Sequence, residues 1–290
     1  LIQENRSLVG LNMERNFFEK LSSAEPQEQK RMAYIEGRSD LFETKILRIE
    51  PTNETEETKS LLVCTRDPGS GNALLPVLKE LASDQGLQID VMTDGRAQEI
   101  IQGNLQTKDI TPQGKIGALA ADSVTGTPDV ILIDRSSEMG IETYATATFL
   151  EVPKILIEDY YGTSIPYLTR LKENDLPFPD KICVLDQTAK ELILKDFPIL
   201  ESRIEITGQP AFDQFAQENT EQIAREVKEK LGLKPTDMLV VYMSQMDELE
   251  KISQMAKALK KVTGDFYFVF RPHPRDNINY EIYKQIFIDA

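Results

Sequence analysis

Cysteine is nearly absent from this chain. Cys64 and Cys183 are the only two in 290 residues, and both lie in apolar stretches that read as buried strands. Two such thiols exclude a disulfide framework and point to a reducing, cytoplasmic setting. Histidine occurs once, at His273. No His, Cys and Asp residues recur at metal-ligand spacing, so neither a metal nor a cofactor is expected. No apolar run reaches the ~18 residues of a membrane span, and no secretory signal is read near the start, which is Leu1 rather than Met. The sequon Asn53-Glu54-Thr55 therefore reads as chance. Basic residues are also short: 33 Lys+Arg against 48 Asp+Glu give a formal net charge of −15. That balance disfavours nucleic acid and anionic lipid as partners, while leaving room for a local basic pocket that holds one phosphorylated small molecule.

What is present is an α/β rhythm. Apolar residues make up 40% of the chain, enough for real cores, and its length suits two domains. The organising stretch runs from Leu61 to Ala82. Leu61, Leu62, Val63 and Cys64 form an unalternating apolar run, as in a parallel strand covered on both faces. Asp67–Asn72 reads as a glycine-rich turn, with Gly69 and Gly71 allowing sharp bends and Gly69, Ser70, Gly71 and Asn72 as candidate phosphate contacts. Leu74, Leu75, Leu78, Leu81 and Ala82 then recur at helical spacing.

Residues 1–58 differ from the rest. Leu8, Leu11, Phe17, Phe18 and Leu21 suggest an amphipathic helix, Lys45–Ile49 a short strand, and Pro51–Lys59 a polar, acidic linker. This arm is expected to pack on the body or to bind a protein partner. From residue 59 to 218, strands are expected at Leu61–Thr65, Gln88–Thr93, Asp129–Asp134, Pro153–Glu158, Lys181–Asp186 and Arg203–Thr207. Helices are expected at Ala73–Ala82, Ala97–Gly103, Ile116–Asp122, Gly140–Leu150 and Thr188–Asp196. Alternation of this kind implies a mainly parallel, Rossmann-like sheet. Residues 219–290 open with a helix at Thr220–Leu231 stopped by Gly232, followed by strand Met238–Met243, helix Asp247–Val262, strand Phe266–Phe270 and a final helix at Tyr280–Ile288. Two strands make an incomplete second lobe, so a fragment of a longer chain is expected.

Four loops would meet at the strand ends, where open α/β sheets bind ligands. Asp67–Asn72 is the first. In the second, Asp134–Glu142, Ser136 or Ser137 either caps the next helix or, with Glu138, lines a substrate site. The third is Glu158-Asp159-Tyr160-Tyr161-Gly162: two carboxylates and two phenols that suit sugar binding or general-base work if burial raises a carboxyl pKa, the alternative being a solvated capping loop. The fourth, Phe266–Asp276, ends in Arg271, His273 and Arg275. Their alternation in an extended chain places two guanidiniums beside an imidazole, a set that suits a diphosphate. Prolines that merely end a strand are the plainer reading of the same stretch. Thr207–Pro210 reads as a tight turn in which Gln209 lines the cleft.

Four segments carry a family resemblance: PGSGNALLPVLKEL, PDVILIDRSSEMGIETYATATFLEVPKILIEDYYG, RIEITGQPAFD and FRPHPRD. In order and spacing they resemble the two-lobed GT-B glycosyltransferases. The similarity extends to the UDP-N-acetylglucosamine 2-epimerases, the Kdo transferases and the teichoic-acid glycerophosphotransferases. The resemblance implies two Rossmann-like lobes, the second incomplete here, with an N-terminal extension. It implies a metal-independent enzyme moving a sugar or glycerol-phosphate group from a nucleotide-activated donor (of UDP or CMP/CDP type) to a hydroxyl acceptor in polysaccharide or cell-envelope biosynthesis. Arg271 and His273 match the phosphate-contact segment, and Glu158 or Asp159 falls where acceptor-side carboxylates occur. A 2-epimerase is the nearest alternative, although Ser244–Glu250 lacks the His/Arg-rich loop typical of epimerases. A non-catalytic binding or assembly protein is the other.

Overall fold

The computed structural model describes residues 44–49, 58–84, 86–111, 125–134, 141–213, 215, 219–244, 248–263, 265–273 and 278–289. The expected helices within residues 1–22 and 112–124 lie outside these, as do most of the acidic linker, Ser136, Ser137, Glu138 and Arg275. The chain divides into two compact units between residues 214 and 215.

The first unit carries an eight-stranded sheet. Its strands are β1 (Lys45–Ile49), β2 (Lys59–Thr65), β3 (Leu87–Thr93), β4 (Thr107–Asp109), β5 (Val130–Asp134), β6 (Lys154–Ile157), β7 (Lys181–Val184) and β8 (Ile204–Ile206), in the order β4-β1-β3-β2-β5-β6-β7-β8. From β3 to β8 all pairings are parallel. Helices connect most of these strands: α1 (Pro68–Leu81), α2 (Gly95–Asn104), α3 (Ile141–Thr148), α4 (Ser164–Glu173) and α5 (Gln187–Asp196). The side chains of β2 divide between two cores. Leu61 and Val63 pack with Leu74 and Leu78 of α1 and Ile101 of α2; Leu62 and Cys64 pack with Ile141, Tyr144 and Ala145 of α3. Covering both faces is why this strand is apolar throughout. The chain leaves β2 toward β3 on one side and later returns to β5 on the other, so the strand order reverses at β2 and the crevice beyond its C-terminal end is the natural ligand position.

Three features depart from the sequence reading. The strand Lys45–Ile49 belongs to the sheet, running antiparallel to β3 and β4. Its Arg48 stands opposite Asp90 and donates two hydrogen bonds to that carboxylate, at 2.8 and 2.9 Å, a bidentate pairing that fixes register. Second, the glycine-rich segment is helical rather than a turn. With Pro68 at N1, α1 begins at once, and neither Gly69 nor Gly71 has a positive φ. Gly71 instead permits close packing: a Cβ there would lie 3.0 Å from the Ala97 Cα. Third, α4 follows Gly162 directly, where no helix was expected.

Lys154 shows how the fold satisfies a helix end. It is only 1% exposed, and its ammonium donates to the carbonyls of Phe149, Leu150 and Val152 at 2.8, 3.0 and 2.6 Å. These acceptors lie just past α3, where carbonyls lack intrahelical donors. Burial pushes the Lys154 pKa down, partly offset by Asp180 and Glu151.

In the second unit, helix α6 (Thr220–Lys230) precedes β9 (Met238–Met243), α7 (Leu249–Leu259), β10 (Phe266–Arg271) and α8 (Tyr280–Asp289), and β9 and β10 pair in parallel. Phe268 and Phe270 pack against Phe287, and Phe270 also against Tyr283, which seats α8 on one sheet face. Helix α6 stops before Gly232, whose N–H bonds back to Glu229. Among the described residues, no helix is long and apolar enough to cross a membrane.

Lys154→Met keeps the aliphatic stem but removes the only donor these three carbonyls share. Urea unfolding of the variant is expected to show a loss of about 3 kcal/mol; a loss under ~1 kcal/mol would mean that water or a neighbour satisfies them.

Candidate functional site

The third loop is positioned by β6 and α4. The Glu158 N–H bonds to the Cys183 carbonyl, which carries the ladder one residue past β6. The backbone then turns through Gly162 into α4. The two carboxylates that looked equivalent in sequence occupy different environments.

Glu158 is 1% exposed. Its Oε1 accepts from Ser164 Oγ at 2.7 Å and from the Ser164 N–H at 3.4 Å, so it serves the first turn of α4 from outside the helix. Burial raises its pKa; hydrogen bonds from Ser164 and Gly162 lower it, and nearby Asp159 raises it. The solvated loop considered from sequence is therefore buried at this residue, because Glu158 points into the unit to reach Ser164.

Asp159 is half-buried. Its Oδ1 accepts from Thr163 Oγ1 at 2.8 Å, and its main-chain carbonyl accepts from Gln209 Nε2 at 2.7 Å. Its Oδ2 reaches the start of α1, lying 2.9 Å from where a Cβ would stand on Gly69. Burial raises the Asp159 pKa, hydrogen bonds from Thr163 lower it, and the charge of Asp67 raises it. A carboxylate so placed holds a proton more readily than a solvated aspartate does.

The expected phosphate contacts fare differently. Ser70 and Gly71 are buried in the first turns of α1, and Asn72 uses its amide on the Pro68 carbonyl at 2.8 Å. With Asp159 and Asp67 close by, this helix start faces carboxylates, which oppose a phosphate. Tyr161 donates to Asp186 Oδ2 at 2.6 Å, while Tyr160 is exposed and meets the Tyr161 ring edge-on at 5.5 Å. Asp186 also caps α5 through the Ala189 N–H. Gln209 is part of the Asp159 neighbourhood rather than an isolated turn residue. Thr163 and Ser164 are not among the residues expected from sequence, although a Thr-Ser pair just before the apolar stripe Ile165, Leu168, Leu171 is a helix-start pattern.

In the second unit, Arg271 ends β10 opposite Met243, and its carbonyl accepts from the Ser244 N–H at 3.0 Å. Its side chain is exposed, and His273 follows at intermediate exposure. Among the described residues, no group of three or more His, Cys, Asp or Glu side chains is arranged to hold a metal.

The family described as CDP-Glycerol:Poly(glycerophosphate) glycerophosphotransferase matches residues 162–289. That span contains RIEITGQPAFD and FRPHPRD, two of the four segments on which the sequence resemblance rests. No curated protein matches the chain. Among solved structures, the UDP-N-acetylglucosamine 2-epimerase from Rickettsia bellii superposes with a TM-score of 0.49 at 16% identity, over 80% of this chain and 65% of that one. The S. aureus MnaA–UDP co-structure gives 0.49 at 14% identity, over 80% of this chain and 67% of that one. The chain thus spans under two thirds of the length of the first of these.

Since burial raises the Glu158 pKa, the folded state holds that proton more tightly than the unfolded chain does. The associated stability is full below the ordinary glutamate range and is lost as pH rises through the folded value. Glu158→Gln, whose amide oxygen still accepts from Ser164, is expected to match the parent melting temperature near pH 4 and exceed it near pH 7. A gap that instead widens in acid would show that ionised Glu158 is the favoured form.

Proposed function

We propose that this chain belongs to a transferase that moves a glycerol-phosphate group from a cytidine-diphosphate donor to a hydroxyl acceptor in cell-envelope polysaccharide synthesis. The observation that carries this reading is the glycerophosphotransferase match across residues 162–289. In the proposed reaction the acceptor oxygen attacks the phosphorus that bears glycerol. A new O–P bond forms, the bond to the bridging oxygen breaks, and CMP leaves. Arg271 and His273 stabilise the charge gathering on the diphosphate, with no metal required. Asp159 takes the acceptor proton, since its carboxylate is half-buried with a raised pKa while Glu158 is engaged with Ser164.

Incubation of the protein with CDP-glycerol and a polyglycerophosphate acceptor is expected to release CMP in step with polymer growth. UDP-N-acetylglucosamine in place of CDP-glycerol is expected to yield neither transfer nor the 2-epimer. Epimer formation would overturn the reading in favour of an epimerase.

A binding measurement addresses Arg271 by itself. CDP is expected to raise the melting temperature, and Arg271→Ala to abolish the rise without changing the melting temperature of the free protein. An undiminished shift in Arg271→Ala would remove Arg271 from the donor site.

A further inference from the structure

Three separate segments converge on Asp159. Thr163, just before α4, hydrogen-bonds its carboxylate; Gln209, beyond β8, holds its main-chain carbonyl; and Gly69, on α1, leaves the space that Oδ2 enters. The Thr163 hydroxyl has a second acceptor at the same distance, the Tyr160 carbonyl at 2.8 Å. One proton serves both oxygens. With Asp159 ionised, the hydroxyl donates to Oδ1; with Asp159 protonated, it can turn to Tyr160 and accept from the acid. Glu158 is held differently, by the Ser164 hydroxyl and N–H at the start of α4 and by the Gly162 N–H.

We propose that Thr163 and Gly69 are positioning residues for Asp159, Thr163 restraining Oδ1 in both protonation states and Gly69 leaving Oδ2 as the oxygen that meets the acceptor. This rests on the transferase reading above. Gly69 is thereby assigned a steric role rather than a phosphate contact. An added methyl at position 69 lies 2.9 Å from Oδ2, closer than carbon and oxygen tolerate, so the carboxylate must move. Displacement of a reacting group on that scale lowers the rate of chemistry while leaving donor binding alone.

The test uses the full natural protein. Thr163→Val and Gly69→Ala are each expected to lower kcat for transfer from CDP-glycerol about tenfold or more with KM nearly unchanged. Thr163→Ser, which restores the hydroxyl, is expected to recover most of the loss. A second readout needs no turnover: the Asp159 carboxyl carbon followed by NMR through a pH titration. The groups whose charges act on it are Asp67, ahead of α1, and Glu158, its chain neighbour. Neither is altered by these variants. Removing the Thr163 hydroxyl should raise the Asp159 midpoint, and Thr163→Ser should return it. A kcat within about twofold of the parent in Thr163→Val, together with an unmoved midpoint, overturns the positioning role. If the parent protein transfers nothing from CDP-glycerol, the transferase reading fails by itself, and the titration still decides whether Thr163 sets the Asp159 carboxylate.

Discussion

The central sheet of the first unit is covered on both faces, and that constraint shapes almost everything else in it. Strands β2, β5 and β6 carry side chains into two cores at once, so polar chemistry has no place along their length. It is displaced to their C-terminal ends, where the main chain turns away from its neighbours and the polar side chains of Thr65, Thr93 and Asp134 are themselves buried. Thr65 and Thr93 end β2 and β3 in register, and Asp134 ends β5. The candidate carboxylates lie just beyond β6. The site is where the sheet's apolar requirement stops.

Helix ends impose a related demand. A helix running back over the sheet leaves carbonyls at one end and amides at the other without partners. The first unit answers with long-reaching side chains: Lys154 for the carbonyls after α3, Glu158 for the amides opening α4, and Asp186 for those opening α5. A carboxylate occupied in this way has little freedom for other chemistry. This separates the roles of two adjacent acids. Glu158 serves the start of α4, whereas Asp159, one residue on, meets Thr163 and the space at Gly69 and is, on the transferase reading, the acid that meets the acceptor.

Much of this architecture could be read from the sequence because the signals were local. Apolar runs such as VCT and VILID, bounded by turns, located the strands, and Gly232 marked a helix end. Other signals were ambiguous. Glycines at 69 and 71 serve close packing against Ala97 and room for Asp159, yet a chain that needs glycine for proximity looks the same as one that needs it for a turn. Helix α4 went unread because Tyr160-Tyr161-Gly162 and Pro166 resemble loop, although proline in a first turn costs no hydrogen bond. The contacts of Asp159 with Gln209, 50 residues away, and with the start of α1 depend on sheet register, which no single sequence window contains. Nothing in the letters distinguishes Glu158 from Asp159; only the direction in which each leaves the strand does.

On the transferase reading, the acids of the first unit and the basic residues of the second answer opposite electrostatic demands. A general base needs a raised pKa, which burial and neighbouring carboxylates such as Asp67 supply and which a nearby guanidinium would remove. A diphosphate needs guanidinium and imidazole donors, and a carboxylate among them would oppose it. One loop cannot meet both demands. Placing acids at the strand ends of the first unit and Arg271 and His273 at a strand end of the second lets each set be tuned without compromising the other. On the reading proposed here, the acid-rich helix start at Gly69 is the expected partner of a neutral hydroxyl acceptor, and the basic strand end at Arg271 that of the charged donor.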